Sequence, residues 1–109
     1  MEREFASTKV FDKLWGELGL TDDDMRKLET QIIETLPPRD IIIGTGGAAK
    51  TRYALHGKGK SGGARVIYTD VKHKKTTYLL LCYPKDEQED LTSEQKKQLK
   101  TLIKTLKGE

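Results

Sequence analysis

The residues best suited to chemistry lie between Gly44 and Arg65, in the run GTGGAAKTRYALHGKGKSGGAR. The run holds seven of the chain's ten glycines. From Lys50 to Lys75 there are eight basic residues (Lys50, Arg52, Lys58, Lys60, Arg65, Lys72, Lys74, Lys75) against one acid, Asp70. Residues 1–49 carry six cations and ten acids, a balance of −4. Residues 50–75 carry +7, residues 76–109 balance to zero, and the whole chain is +3. A modest net charge therefore hides a strongly basic middle, the electrostatic footprint of a polyanion binder. Alternate strand residues share a face, so Lys50 and Arg52 point one way while Thr51, Tyr53 and Leu55 point the other, core-facing way. Arg65 opens the next strand and can come near both cations, in a register that the sequence does not give. Three cations on one sheet face suit a phosphodiester; they also suit a solvated basic surface without chemistry.

Several other chemistries are excluded or weak. A phosphate loop needs a glycine five residues before Gly59, where the chain has Ala54, and a helix after Lys60-Ser61, where a strand follows. Gly62-Gly63 instead suits a hairpin. Lys58 and Lys60 can still touch backbone phosphates by charge attraction. The two histidines, His56 and His73, fall in expected loops. Either can move a proton near neutral pH, and His56 adjoins the basic loop. The lone Cys82, in an apolar run, reads as a buried small hydrophobe. The acids Asp86, Glu87, Glu89 and Asp90 read as a solvated turn, so no metal and no cofactor is assigned. The start lacks a basic, then apolar, leader, and no apolar run approaches membrane-spanning length. We expect a cytoplasmic protein without a membrane partner.

The surrounding elements must position the cations. Residues 2–7 suit a short strand. Val10, Phe11, Leu14, Trp15 and Leu18 have helical spacing over 9–18, with Ser7 or Thr8 as cap and Gly19 past the end. A second helix opens at Thr21, with Asp22, Asp23 and Asp24 in its first turn, and Pro37-Pro38 stops it. Its stripe is Met25, Leu28, Ile32, Ile33 and Leu36. Ile41–Ile43 reads as a short apolar segment docked on the core. Strands follow over 50–55, 64–71 and 76–83, the last almost wholly apolar and so covered on both faces. Pro84 ends it. Thr92 to Gln95 has the form of a capping box, and Leu99, Leu102, Ile103 and Leu106 make the last helix's apolar face beside a stripe of Lys96, Lys97, Lys100, Lys104 and Lys107. The expectation is one domain over 1–109: a two-layer α+β fold, β-α-α-β-β-β-α, with a mainly antiparallel sheet.

With these elements in place, the chain resembles the RelE/HigB-like toxins of bacterial type II toxin–antitoxin systems, in particular their phage-related branch. The likeness rests on Gly44-Thr45-Gly46-Gly47, Lys50-Thr51-Arg52, Gly57 to Tyr68 (GKGKSGGARVIY), Tyr83-Pro84-Lys85 and Asp90-Leu91-Thr92, and on the element order. The GKGKSGGARVIY segment is the most specific part. The resemblance implies a toxin that cleaves mRNA in the ribosomal decoding site without a metal. It also implies neutralisation by a co-encoded antitoxin, in this branch one with a helix-turn-helix DNA-binding domain. By position it implies Lys50 and Arg52 as the functional strand pair, Arg65 as the following arginine, and Lys85 near a further cation or histidine. The chain departs from many relatives at Ala49, where they carry arginine, and at Leu91 and Thr92, where they carry an aromatic residue or histidine.

The expected mechanism uses the RNA's own 2′-OH as nucleophile. Lys50 is the candidate general base, Arg65 stabilises charge on the phosphoryl oxygens, Arg52 holds the backbone, and Lys85 or His56 protonates the leaving oxygen. Lys72, Lys74, Lys75, Lys97, Lys100 and Lys104 are the candidate contacts to ribosomal RNA. Two other readings remain open: a non-nucleolytic, ParE-like topoisomerase poison, and a nucleic-acid-binding module without catalysis.

Overall fold

The computed structural model describes residues 3–55, 63–88 and 90–109. Strand β1 is Glu4–Ser7, helix α1 Lys9–Glu17, α2 Asp22–Glu34, β2 Ala49–Tyr53, β3 Ala64–Val71, β4 Thr76–Pro84 and α3 Ser93–Leu106. The strands form one sheet in the order β1-β4-β3-β2. β2, β3 and β4 are antiparallel neighbours, whereas β1 joins β4 in parallel, so the sheet is mixed. The α+β order is the expected one.

Local chemistry explains the boundaries. The Thr8 hydroxyl accepts from Phe11 N–H at 3.0 Å, capping α1, and donates to the Leu80 carbonyl at 2.9 Å, tying the helix start to β4. Gly19 follows α1 at φ 76°, a conformation glycine adopts without a Cβ clash. Thr21 and Asp24 form a reciprocal capping box on α2, and Thr92 and Gln95 do the same on α3. The expected turn at His73-Lys74-Lys75 is a 3-10 turn over Lys72–Lys74, closed by Lys75 at φ 52°.

Helices cover both faces of the sheet, with α1 and α2 on one side and α3 on the other. The domain therefore has three layers and not the expected two, because the last helix finds its apolar partners on the opposite face of β3 and β4. Phe11, Trp15, Leu28 and Ile32 pack with Ala49, Tyr53, Val66, Tyr68, Leu79 and Cys82. On the opposite face Leu91, Leu99 and Ile103 pack with Ala48, Ile67, Leu80 and Tyr83. β4 is thus central and doubly covered, as its apolar run implies. A register shift at Ile67/Tyr68 lets Leu80 and Leu81 both serve the α3 side before alternation resumes.

Three local readings need correction. Of Ile41–Ile43 only Ile42 docks on the core; Ile41 is 48 % and Ile43 90 % exposed. Ile33 is exposed as well, because it lies on the outer flank of α2, beyond the line of Leu28 and Ile32. Pro84 does not follow β4 but is its last residue, opposite Ala64. The glycine-rich loop, with His56, Lys58 and Lys60, lies outside the described residues. No helix of the described residues is long and apolar enough to cross a membrane.

Candidate functional site

Strand register brings the cations together. Arg52 on β2 lies directly opposite Arg65 on β3, and Arg65 lies opposite Tyr83 on β4. One row, Arg52–Arg65–Tyr83, therefore crosses three strands. The next row places Lys50 opposite Ile67, and Ile67 opposite Leu81. Ile67 and Tyr83 belong to the α3-side core, so both rows are on that face. Thr51 and Tyr53 face α2, as their alternation implies: the Gln31 amide donates to Thr51 Oγ1 at 3.0 Å, and the Tyr53 hydroxyl donates to Asp24 Oδ1 at 2.7 Å.

Like charges directly opposite on a sheet destabilise it, so the Arg52–Arg65 pair carries a cost that an anion between them would remove. Arg65 is part-buried. Its Nε is buried with no hydrogen-bond partner among the described residues. An unanswered buried donor costs about 1–3 kcal/mol. The one acid of the basic block is directed elsewhere: Asp70 pairs with Arg3 and accepts from the Thr77 hydroxyl at 2.9 Å.

The backbone around the cations is held tightly. Gln31 also donates to the Arg52 carbonyl at 2.8 Å, bracing the sheet edge from α2. Arg52 lies over Gly63, where a Cβ would fall 2.5 Å from its Nε. The Gly63 carbonyl accepts from Lys85 N–H at 3.0 Å. That bond brings the start of Lys85's turn against the glycine under Arg52.

A groove of about 330 Å³ opens beside the rows. Lys50, Tyr83, Asp90 and Lys96 supply its polar lining, and Leu91 with Ile41–Ile43 its apolar lining. Burial pushes the Tyr83 phenol's pKa up, nearby Arg65 pulls it down and Asp90 adds to the rise. Tyr83 thus stands between an arginine and a carboxylate. The segment before α3 is fixed by Gln88, whose amide donates to the Asp90 carbonyl at 2.9 Å and to Gln95 Oε1 at 2.7 Å.

The remaining candidates do not converge on this groove. Lys72, Lys74 and Lys75 are exposed at the far end of β3. Seven residues of strand separate Arg65 from Lys72, about 23 Å. Lys74 Nζ donates to the Leu106 carbonyl, placing a cation at the negative end of α3. Lys97 and Lys104 are exposed and do not line the groove. Lys100 runs beside Gly46, and Lys107 Nζ donates to the Gly46 carbonyl at 3.0 Å. Lys96, one turn earlier, is the α3 lysine that lines the groove. Cys82 is buried, and burial, with a smaller effect of Asp12, pushes its pKa up to about 12, so it is an inert core thiol. Among the described residues no group of three or more His, Cys, Asp or Glu side chains is arranged to hold a metal ion.

Tyr83, Asp90, Lys96 and Gln31 are the site residues that the sequence did not single out for it. Tyr83 stood in a matching motif and Lys96 in the lysine stripe, yet only strand register and helix placement bring them to Lys50 and Arg65.

The fold and the basic rows define a small α+β protein with a mixed four-stranded sheet and cations gathered on its α3 face. The fold is shared with a double arginine variant of the E. coli toxin RelE in the free state, at TM-score 0.54 and 16 % identity over 82 % of this chain and 90 % of that one. It is shared too with the intact E. coli RelBE toxin–antitoxin complex, at TM-score 0.52 and 18 % identity over 74 % and 94 %. The family described as the RelE toxin of the RelE/RelB toxin–antitoxin system matches residues 4–108. The chain belongs to the RelE toxin family.

Proposed function

We propose that this chain is a cytoplasmic toxin that stops translation by cutting mRNA on the ribosome without a metal ion, and that a cognate antitoxin neutralises it. That antitoxin carries a helix-turn-helix DNA-binding domain. The observation that supports cleavage best is Arg65: a part-buried arginine with an unanswered Nε, opposite Arg52 and next to Tyr83. Such an arrangement favours an incoming phosphodiester over the empty site.

In this reading Lys50 takes the proton from the 2′-OH. The freed oxygen attacks the adjacent phosphorus, and the bond to the 5′ oxygen breaks. The products carry a 2′,3′-cyclic phosphate and a 5′-OH. Arg65 neutralises the charge that develops on the phosphoryl oxygens, where its planar fork acts bidentately, and Arg52 holds the backbone. Lys85 or His56 protonates the leaving oxygen. Tyr83, a phenol with a proton to give, donates a hydrogen bond in the same row. The exposed lysines Lys72, Lys74, Lys75, Lys97, Lys100 and Lys104, with Lys58 and Lys60, hold ribosomal RNA electrostatically.

Primer extension on a translated mRNA, with and without ribosomes, tests this. Cuts that appear only on translating ribosomes are expected. Intact RNA in both conditions, from folded protein, would transfer the reading to a topoisomerase poison or a binding module.

A further inference from the structure

β2 is an edge strand, and the backbone groups it turns away from β3 belong to two cations of the site. Antiparallel residues exchange backbone bonds with the partner strand only at every second position. In β2 the other set is Lys50 and Arg52. Lys50 N–H donates outward to the Asp40 carbonyl at 3.0 Å, and the Arg52 carbonyl accepts from the Gln31 amide at 2.8 Å. The Lys50 tie is main chain to main chain, next to the bond from Ile42 N–H to the Ala48 carbonyl at 2.8 Å. The turn behind it is closed by the fully buried Thr45, whose hydroxyl donates to the Ile42 carbonyl at 2.7 Å and accepts from Ala48 N–H at 3.0 Å. The tie at Arg52 depends instead on a side chain.

Gln31 lies two helical turns beyond Asp24 on the same side of α2. Asp24 takes the Tyr53 hydroxyl, so the two residues clamp neighbouring parts of β2. The Gln31 amide nitrogen also donates to Thr51 Oγ1 at 3.0 Å, and its two N–H groups are thereby matched to two acceptors. The effect falls on the Arg52 guanidinium. Its stem crosses Gly63, where a Cβ would sit 2.5 Å from Nε and 3.0 Å from Cγ. Arg65 stands directly opposite. Like charges opposed on a sheet repel. Beyond the single bridge at Ala49, no strand among the described residues backs β2 on its outer side. The Gln31 bond resists that displacement at the residue that bears the charge.

We propose that Gln31 is a positioning residue for Arg52: without touching substrate, it holds the Arg52 peptide against the repulsion from Arg65, so that the guanidinium meets the phosphodiester. The assignment rests on the nuclease reading above.

The test is a double-mutant cycle read as kcat/KM for cleavage on the ribosome. Gln31→Met keeps the length of the side chain and removes its donors. In the otherwise wild-type chain it lowers kcat/KM by roughly tenfold, the scale of a binding group misplaced by less than an ångström. In an Arg52→Ala chain the same change lowers it by less than about twofold, because the group it positions is gone. Equal factors in the two backgrounds, or no loss in the first, overturn the proposal and leave the nuclease reading standing. Denaturation midpoints show that each variant is folded. If Gln31→Met does not fold, Gln31→Glu, which keeps the shape and sets an acceptor against the Arg52 carbonyl, takes its place in the cycle. If the wild type cuts nothing, the nuclease reading has failed, and the cycle is read on binding of a labelled single-stranded RNA oligonucleotide by fluorescence anisotropy. A several-fold weakening by Gln31→Met that vanishes in Arg52→Ala upholds the positioning role by itself. Equal weakening in both backgrounds, no weakening, or a wild type that does not bind overturns it.

Discussion

β3 sends Val66 and Tyr68 into the core beneath α1 and α2, and Arg65 and Ile67 toward α3. On the α1/α2 face the polar groups between the helices and β2 are answered within the fold. Tyr53 donates to Asp24, Asp24 accepts from Thr21, and Trp15 Nε1 donates to the Thr21 carbonyl at 3.3 Å. On the α3 face two arginines oppose each other and one buried guanidinium nitrogen has no partner among the described residues. The same strand thus serves two ends. The α1/α2 face closes its polar groups within the fold, while the α3 face sets two opposed arginines beside its own apolar core.

Substitutions that separate stability from activity test this contrast most directly. Phe11→Ala removes a fully buried ring stacked on Trp15 at 5.4 Å and should cost about 3–5 kcal/mol, read as a lower denaturation midpoint. Arg65→Ala should do the reverse. Cleavage falls by on the order of 100–1,000-fold, as for loss of one electrostatic donor in a transition state. The denaturation midpoint holds or rises, because the repulsion from Arg52 and the unanswered Nε both disappear. An Arg65→Ala protein that loses stability as Phe11→Ala does would make Arg65 a structural residue and remove the contrast.

Gly63→Ala is a finer probe. The new Cβ would meet Arg52 Nε at 2.5 Å, and Arg52 is an exposed, flexible side chain that can swing away. Stability should stay within about 1 kcal/mol of wild type. Cleavage should fall by roughly tenfold, because misplacing a binding group by a few tenths of an ångström to an ångström spoils alignment. Quantitative primer extension on the ribosome reads this. Unchanged cleavage would mean that the position of Arg52 is immaterial.

Much of the fold and part of the site were legible in the residues. The caps at Thr8, Thr21 and Thr92 are local chemistry and stood where expected. Alternation put Lys50 and Arg52 together and Tyr53 on the opposite face. Tyr83 was not legible as a site residue, since its place depends on β3–β4 register and on the shift at Ile67/Tyr68. A strand covered on both faces has no polar alternation to reveal either. Ile41–Ile43 reads as core by composition, and only the buried Thr45 hydroxyl decides that the middle residue alone goes in. The α3 lysines look equivalent on a helical wheel; what separates Lys96 from Lys97 is the loop that lies across from the helix.

Alkaline pH should move the answered face and supply the smallest effect. Burial, strengthened by the hydrogen bond to Asp24, pushes the Tyr53 phenol's pKa up to about 12 from an ordinary 10. Below pH 10 both folded and unfolded chains keep that proton, so the contribution is complete. Between 10 and 12 the unfolded chain releases it while the folded chain holds it, and stability falls as pH rises. Cys82, raised to about 12 from 9, acts in the same direction from pH 9 upward. Thermal midpoints measured from pH 8 to 11 should therefore decline beyond pH 9. Tyr53→Phe should flatten the part above pH 10, at a cost near neutrality of about 1 kcal/mol for the lost hydrogen bond to Asp24. A decline above pH 10 equally steep in Tyr53→Phe would show that the phenol does not hold its proton against the carboxylate as this face requires.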